Sequence, residues 1–217
     1  MKTITYLFAL LFCCLTIHSD AQISLGVRGG YGKAWEDYGD AEVPENAKIH
    51  IPGYQASAII NVGLGKIFRL GVEPGFVRRG AACIPTFVTF TNDVKWMLNY
   101  VEMPVILTGK IPVNQKLEIF GKAGYGVSYM TSATAVFIDL TGALPPSKQP
   151  MDLDNPFGTN IRRWDNGIYT GLGIGYNTPF GQVFLDSNYY VGMRDVTGGS
   201  TSKSRNLQLG LGLTVSL

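Results

Sequence analysis

The sequence predicts an all-β fold, an eight-stranded antiparallel up-and-down transmembrane β-barrel. Three observations favour this fold. Eight segments alternate between apolar and polar residues, the connections between them are alternately short and long, and nearly every charge within a segment falls on one face. Each segment has about nine residues or more, the length that a tilted strand needs to cross a hydrocarbon layer.

The chain begins with a predicted secretory signal peptide, residues 1–21. A basic residue precedes an apolar run, and the small residues Ser19 and Ala21 suit cleavage before Gln22. The apolar run has about twelve residues, fewer than the roughly 20 that a helix needs to span a bilayer. We therefore expect an exported chain with one domain, an outer-membrane β-barrel over residues 22–217.

The composition excludes several structural and functional classes for this domain. After cleavage Cys83 would be the remaining cysteine, so an internal disulfide is excluded. The net charge of +2 argues against nucleic acid as a partner. The 27 glycines disfavour helix, because glycine loses much conformational freedom when it is ordered in one.

The eight predicted strands follow one another along the whole domain. They cover residues 23–31, 54–62, 67–79, 97–109, 117–130, 167–177, 182–193 and 206–217. Each combines alternation with β-branched or aromatic residues, the pattern of a strand with two different faces.

The connections alternate in length. Short turns are predicted at 63–66, 110–116 and 178–181, and long polar loops at 32–53, 80–96, 131–166 and 194–205. Because successive strands of such a barrel are antiparallel, all short turns share one end and all long loops share the other. This asymmetry is typical of outer-membrane barrels, with short periplasmic turns and long outer loops.

Alternation alone does not say which face is inside, since a soluble barrel of the lipocalin type would show the same period with its faces reversed. Three features favour a polar interior. Glycines crowd the polar face, which suits a narrow lumen. Aromatic residues of the apolar face sit near strand ends, as in interfacial girdles. The charges of the polar face balance, and we therefore expect the cell outer membrane as the location.

The polar face contains the residues that we expect to form a lumen polar network: Arg28, Arg69, Glu73, Glu102, Lys122 and Asp186. A buried charge must be paired or it costs several kcal/mol. Two interpretations stay open for these residues. They cross-link a narrow lumen, or they line a small pore.

Basic residues near the loop end could meet lipopolysaccharide phosphates. This candidate rim is Arg78, Arg79, Arg162 and Arg163, and the alternative is a solvated edge without a ligand. Outer-membrane lipid is one expected partner. A protein partner is the other, bound through loops 32–53 and 131–166, because exposed loops on a rigid scaffold commonly carry binding.

Enzymatic chemistry finds little support in the sequence. His50 is the one histidine after the signal, and nothing near it resembles a catalytic triad. No pair of cysteine or histidine residues has metal-ligand spacing, and the glycines lie within strands rather than in a phosphate-binding turn. We predict no catalytic residue, metal or cofactor.

Several segments resemble the PorT-like outer-membrane β-barrel family, above all "YVEMPVIL", residues 100–107. This stretch is similar to the family's Tyr, Leu/Val, Glu, hydrophobic, Pro, aliphatic signature. The resemblance implies the barrel fold, and one branch of the family is associated with protein secretion across the outer membrane. Many outer-membrane barrels end in an aromatic residue, whereas this chain ends in Leu217.

The function that we expect is therefore a non-enzymatic outer-membrane barrel with a structural or interaction role through its long outer loops. Three alternatives remain: a secretion-associated barrel, a small pore, and a barrel hydrolase or acyltransferase.

Overall fold

A computed structural model describes most of the predicted barrel. The described residues are 22–37, 48–83, 92–139, 144–153, 162–196 and 202–217. The predicted signal peptide lies outside these ranges, as do parts of the predicted outer loops.

Eleven β-strands make up the described fold. They are β1 (Ile23–Asp37), β2 (Lys48–Ile49), β3 (Ile51–Leu64), β4 (Phe68–Val72), β5 (Gly75–Cys83), β6 (Asn92–Pro112), β7 (Leu117–Asp139), β8 (Ser147–Pro150), β9 (Trp164–Thr178), β10 (Gly181–Asp195) and β11 (Lys203–Ser216). In the ranges that the structure describes, no helix is long and apolar enough to cross a membrane.

The strands close into a ring of eight positions. β1 pairs antiparallel with β3 on one side and with β11 on the other, and the β1–β11 register runs from Ser24 opposite Ser216 to Asp37 opposite Lys203. β4 and β5 together fill one position between β3 and β6, and the ring continues through β7, β9, β10 and β11. The predicted eight-stranded antiparallel barrel is confirmed.

The interruption between β4 and β5 has a local cause. It lies beside Pro104 of β6, which has no N–H to donate to a neighbouring strand. The carbonyl of Pro104 accepts a 3.1 Å hydrogen bond from the Glu73 amide, and the Pro74 carbonyl accepts one of 2.9 Å from Ala58. These two bonds connect the break to the strands on both sides.

Tight turns join the strands at the end where short connections were predicted. Gly65, in the turn between β3 and β4, has a φ of 71°, a conformation that glycine adopts without a steric penalty. Between β6 and β7, the Asn114 side-chain oxygen accepts hydrogen bonds of 2.8 Å from the amides of Lys116 and Leu117. Local bonds of this kind fix the turn and with it the register of the hairpin.

The apolar register faces outward. Val27 and Leu211 are 62% and 61% exposed, whereas Arg28 and Gln208, each on the same strand as one of them, are 2% exposed. Polar residues inside and apolar residues outside are typical of a barrel surrounded by lipid, so the transmembrane prediction is confirmed and the lipocalin-like alternative is wrong.

Exposed aromatic residues form a belt at each end of the apolar surface. The belt on the side of the long connections includes Tyr31, Tyr54, Phe76, Tyr125 and Trp164, and the belt at the turns includes Phe68, Tyr176 and Phe180. Such belts mark the two membrane interfaces.

Several strands run beyond their predicted ends. β6 has 21 residues and β7 has 23, so much of the loops predicted at 80–96 and 131–166 is strand. The short strands β2 and β8 pair with β5 and β7 in the same outer region. The β6–β7 register shifts at Asn99 and Tyr100, which lie opposite Ser132 and Met130. The residue between these two, Thr131, is the extra residue of a β-bulge.

Candidate functional site

Inward-facing side chains from every position of the ring meet in the lumen. β7 shows the order along the barrel axis, because its alternate residues Glu118, Phe120, Lys122, Ser128 and Met130 all point inside. They run from the turn end to the outer end. The lumen therefore has layers: a polar turn end, an apolar layer, a charged middle and an apolar outer end.

Lys122 is the centre of the lower charged layer. Its ammonium nitrogen lies 3.1 Å from Glu73 Oε1 and 2.9 Å from Asp186 Oδ2. Asp186 also accepts a 2.9 Å bond from Nε of Arg28, and both of these side chains are fully buried. Two cations thus share one carboxylate, and strands β1, β4, β7 and β10 are linked across the lumen. Glu73 itself follows the last residue of β4.

Gln55 joins this layer to the next one. Its side-chain oxygen accepts a hydrogen bond from Arg28 Nη1, and its Nε2 donates one of 2.8 Å to Glu102 Oε1. Since an amide both donates and accepts, it can connect a cation to a carboxylate without a charge of its own.

Arg79 is the centre of the upper layer. Its guanidinium forms a buried ion pair with Glu102 and lies 3.4 Å from Asp165 Oδ2. Tyr169 donates a 2.7 Å hydrogen bond to Glu102, and Tyr190 donates one of 2.8 Å to Asp165. The Tyr190 ring also lies 3.6 Å from the guanidinium carbon. Hydroxyl donors therefore complete the hydrogen bonding of both carboxylates.

The predicted network is thus largely brought together. Arg28, Glu73, Lys122 and Asp186 form one connected group, and Glu102 joins it through Gln55. Arg69 lies apart at the turn end. It donates a 3.1 Å bond to Gln182 and lies 3.7 Å from Glu118, with the apolar layer between it and the centre.

Apolar side chains fill the lumen on both sides of the network. Ile59, Phe120 and Phe184 pack together on the turn side, and the two phenylalanine rings meet edge to face at 6.0 Å. The outer side holds a larger buried cluster: Val77, Leu98, Tyr100, Met130, Ala133, Ala135, Met151 and Val196. Met151 and Val196 lie just after β8 and β10, so the chain beyond two outer strand ends folds over the lumen.

The rim prediction is wrong for Arg79. We expected its side chain at the outer edge, because the predicted strand ended at this residue. β5 continues to Cys83, however, and alternation turns Arg79 inward, where it is 1% exposed. Arg78 stays on the outward face and Arg162 is exposed, while Arg163 is half-buried and donates a 3.2 Å bond to the Tyr129 hydroxyl.

Besides Gln55, three further network residues were absent from the predicted set: Asp165, Tyr169 and Tyr190. Asp165 lay in a predicted loop, but β9 begins at Trp164 and places it in the inward register. Alternation is the signal that could have identified all three, because each shares its register with inward glycines of the same strand or of its neighbour.

The described residues show no group of three histidine, cysteine, aspartate or glutamate side chains that could hold a metal. His50 is exposed, and its ring meets the Trp35 ring nearly edge-on at 5.1 Å. The charged side chains of the lumen form ion pairs that link the strands of the ring.

Comparison with known proteins indicates which family the chain resembles. A family model described as "Outer membrane protein beta-barrel domain" matches residues 20–198. No curated protein sequence matches this chain.

Solved structures with low sequence identity are similar over most of their length. The attachment invasion locus protein Ail of Yersinia pestis, in complex with the heparin analogue sucrose octasulfate, is 14% identical with a TM-score of 0.43, covering 89% of this chain and 99% of that one. Neisserial surface protein A is 12% identical with a TM-score of 0.46 and coverages of 87% and 96%. The outer membrane protein OprG of Pseudomonas aeruginosa is 11% identical with a TM-score of 0.44 and coverages of 89% and 96%.

Proposed function

The chain belongs to the outer membrane protein beta-barrel domain family, and from this premise we propose that it is a non-catalytic, non-conducting scaffold whose outer segments bind a partner. The observation that carries this proposal is the filled lumen. Described side chains occupy it in successive layers, from Phe120 and Phe184 near the turns to Leu98 and Met130 at the outer side.

The middle of the lumen supports the same interpretation. Each interior cation contacts a carboxylate of another strand, so an ion that passed through would have to break these pairs. A cavity of about 30 Å³ lies beside Glu73 and Lys122, room for about two water molecules. A water pocket of this size is not a channel.

Binding is assigned to the outer segments because the lumen is filled and the apolar wall below the outer aromatic belt faces lipid. The connections at 32–53 and 131–166 contain the outer ends of β1 and β7, the strands β2 and β8, and exposed residues such as His50. Side chains at the ends of rigid strands are well placed for binding, since the scaffold holds them in position. Outer-membrane lipid and a protein are the two proposed partners.

Conductance measurements test the closed lumen. The refolded barrel, inserted into a planar bilayer, should give no stepwise current at either polarity. A double variant, Phe120→Ala with Phe184→Ala, should also stay silent, because the Arg79 and Lys122 pairs still block the path. Steps from the wild-type barrel would contradict the scaffold and favour the small-pore alternative.

A secretion-associated role is the second candidate, and the "YVEMPVIL" stretch favours it. Tyr100, Glu102 and Pro104, which match the signature of the PorT-like family, all point into the lumen and are almost completely buried. Affinity purification from native membranes in mild detergent tests this role. Stoichiometric recovery of secretion components would support it, and recovery of the barrel alone would count against it.

A hydrolase or acyltransferase role has the weakest support, since the His50 ring packs edge-on against Trp35 in the outer region. Lipid and peptide turnover by the purified barrel and by a His50→Ala variant tests it. Turnover that the variant abolishes would overturn the non-catalytic proposal.

A further inference from the structure

A group of polar side chains lies on the outward face of the barrel, at the outer edge of the lipid-facing surface. These side chains take no part in the polar network of the lumen. The centre of the group is Arg78 of β5, which points outward because its neighbours Val77 and Arg79 are 3% and 1% exposed and point inward. Arg78 is therefore a cation on the side of the strand that otherwise presents Phe76, 62% exposed, to the surroundings.

Asn99 and Tyr54 hold Arg78 in place, and neither of them neutralises its charge. Its Nε donates a 2.9 Å hydrogen bond to Asn99 Oδ1, and its guanidinium carbon lies 4.5 Å from the centre of the Tyr54 ring. Within the described ranges no carboxylate forms an ion pair with Arg78. In the lumen, by contrast, Arg28 and Lys122 each contact Asp186.

The β-bulge in β7 adds hydroxyl groups beside this cation. The extra residue Thr131 and its neighbour Ser132 are both exposed on the outer face, while Met130 and Ala133 on either side are buried. In a regular strand, two consecutive side chains would point to opposite faces. The bulge thus places two hydroxyls side by side on the wall.

Hydrogen bonds among these side chains determine which of their N–H and O–H groups remain for a ligand. Asn99 accepts from Arg78 and donates a 2.9 Å bond from Nδ2 to Ser132 Oγ, and the Thr131 hydroxyl donates a 3.2 Å bond to the Asn99 carbonyl. With its oxygen lone pair used by Asn99, Ser132 can donate its hydroxyl hydrogen outward. Arg78 Nη1 lies 3.6 Å from Met97 Sδ, and no described side chain accepts a hydrogen bond from Nη2.

The height of the group on the barrel points to a ligand. Tyr54 belongs to the outer aromatic belt and lies opposite Tyr31 of β1, and such belts sit at the level of the lipid headgroups. A guanidinium at this level needs a counter-charge, and arginine binds phosphate through two parallel N–H bonds. A headgroup phosphate supplies both the charge and the acceptors.

We propose that Arg78, Asn99 and Ser132 form a site on the outer wall for the phosphate of an outer-leaflet lipid headgroup. A lipid is the source because the site lies at headgroup level, at the outer edge of the surface that faces acyl chains. The site rests on the proposed orientation, with the long connections on the outside of the membrane.

Native mass spectrometry of the detergent-solubilised barrel tests the site, with lipid A as the phosphorylated probe and dephosphorylated lipid A as its match. We expect the wild type to retain the phosphorylated form about tenfold more strongly, the effect of losing about 1.4 kcal/mol of charge-assisted hydrogen bonding. Arg78→Gln should remove this preference. Lys116→Gln, which removes a positive charge from an exposed turn at the other end, should keep it.

A second variant tests the hydroxyl donor of the site, and a second probe tests whether the phosphate must belong to a lipid. Ser132→Ala keeps every charge and should weaken retention by a smaller factor. Inorganic phosphate alone should bind no better to the wild type than to Arg78→Gln. Equal retention of both lipid forms by the wild type overturns the site, and tight binding of inorganic phosphate overturns the lipid as its source.

The orientation is checked separately by labelling single-cysteine variants at Leu144 and Asn114 on intact cells. Labelling at Asn114 alone would overturn the orientation while leaving the chemistry of the site intact.

Discussion

The Arg79 guanidinium and the Glu102 carboxylate form an ion pair inside the barrel, with each side chain only 1% exposed. The two residues belong to the neighbouring strands β5 and β6. Through Tyr169 and Asp165, the pair also reaches β9, so it links strands that are not adjacent in the ring.

Glu102→Gln should destabilise the barrel strongly. The change leaves the buried Arg79 with Asp165 at 3.4 Å as its carboxylate partner, and breaking one side of a buried pair costs about 3–5 kcal/mol. Urea unfolding in detergent micelles, followed by tryptophan fluorescence, measures the loss. Because the residues interact directly, the double variant with Arg79→Gln should lose less than the sum of the single variants. Additive losses would show that the pair is not coupled.

Lys122→Met should be more harmful than Lys110→Met. Lys122 contacts Glu73 and Asp186 within about 3 Å in the lumen. Its loss leaves the buried Glu73 carboxylate without this cation, while Asp186 keeps Arg28, at a cost of about 3–5 kcal/mol. The Lys110 ammonium is 4.0 Å from Glu118 and more exposed, so its loss should cost about 1 kcal/mol or less. Urea midpoints at neutral pH compare the two. Similar midpoints would argue that Lys122 is dispensable.

Gly210→Ala should weaken the barrel, while Gly29→Ala should not. A Cβ atom at Gly210 would lie 2.5 Å from Arg28 Nε and from Asp186 Oδ1, whereas one at Gly29 would meet nothing within 4 Å. Overpacking of this kind costs about 1–3 kcal/mol. The fraction that keeps its compact, fast-migrating form in an unheated gel after graded heating gives the order of stability. Equal resistance of both variants would contradict the close packing at Gly210.

Leu211→Arg should block insertion more than Leu207→Arg. Both side chains point outward, but Leu211 lies opposite Gly29 near the middle of the apolar band, and Leu207 lies opposite Lys33, beyond the outer aromatic Tyr31. The penalty for arginine is about 2–4 kcal/mol at the bilayer midplane and about 0–1 near an interface. Folding yields into lipid vesicles measure the difference. Equal yields would place both residues at the same depth.

Alternation predicted the strands, because lipid on one side and a polar lumen on the other impose a period of two on each of them, and loop lengths and the glycines of the polar face predicted which side is inside. Alternation failed at the outer ends of β6 and β7. There the outward positions are polar, as at Asn99 and Ser132, since at this height the strands have left the hydrocarbon core of the membrane. Where neither face of a strand contacts acyl chains, the difference in polarity between the two faces disappears, and the sequence resembles that of a loop.

The members of the network could be predicted better than their pairing. Arg28 and Asp186 were expected inside because of their register, but their contact passes over Gly210 of β11, the strand that separates β1 from β10. Neither alternation nor loop length contains this information. The same limit explains Arg79, whose place depended on how far β5 continues.

The length of β7 has a consequence for any partner of the outer segments. Asp139 follows Tyr129, near the outer aromatic belt, by ten residues, which is about 33 Å of strand and roughly 23 Å of height at a tilt of about 45°. With β6 paired along this length, the connection after Asp139 starts from the end of a stiff spacer. A partner too bulky to approach the headgroups could therefore dock there without touching the membrane.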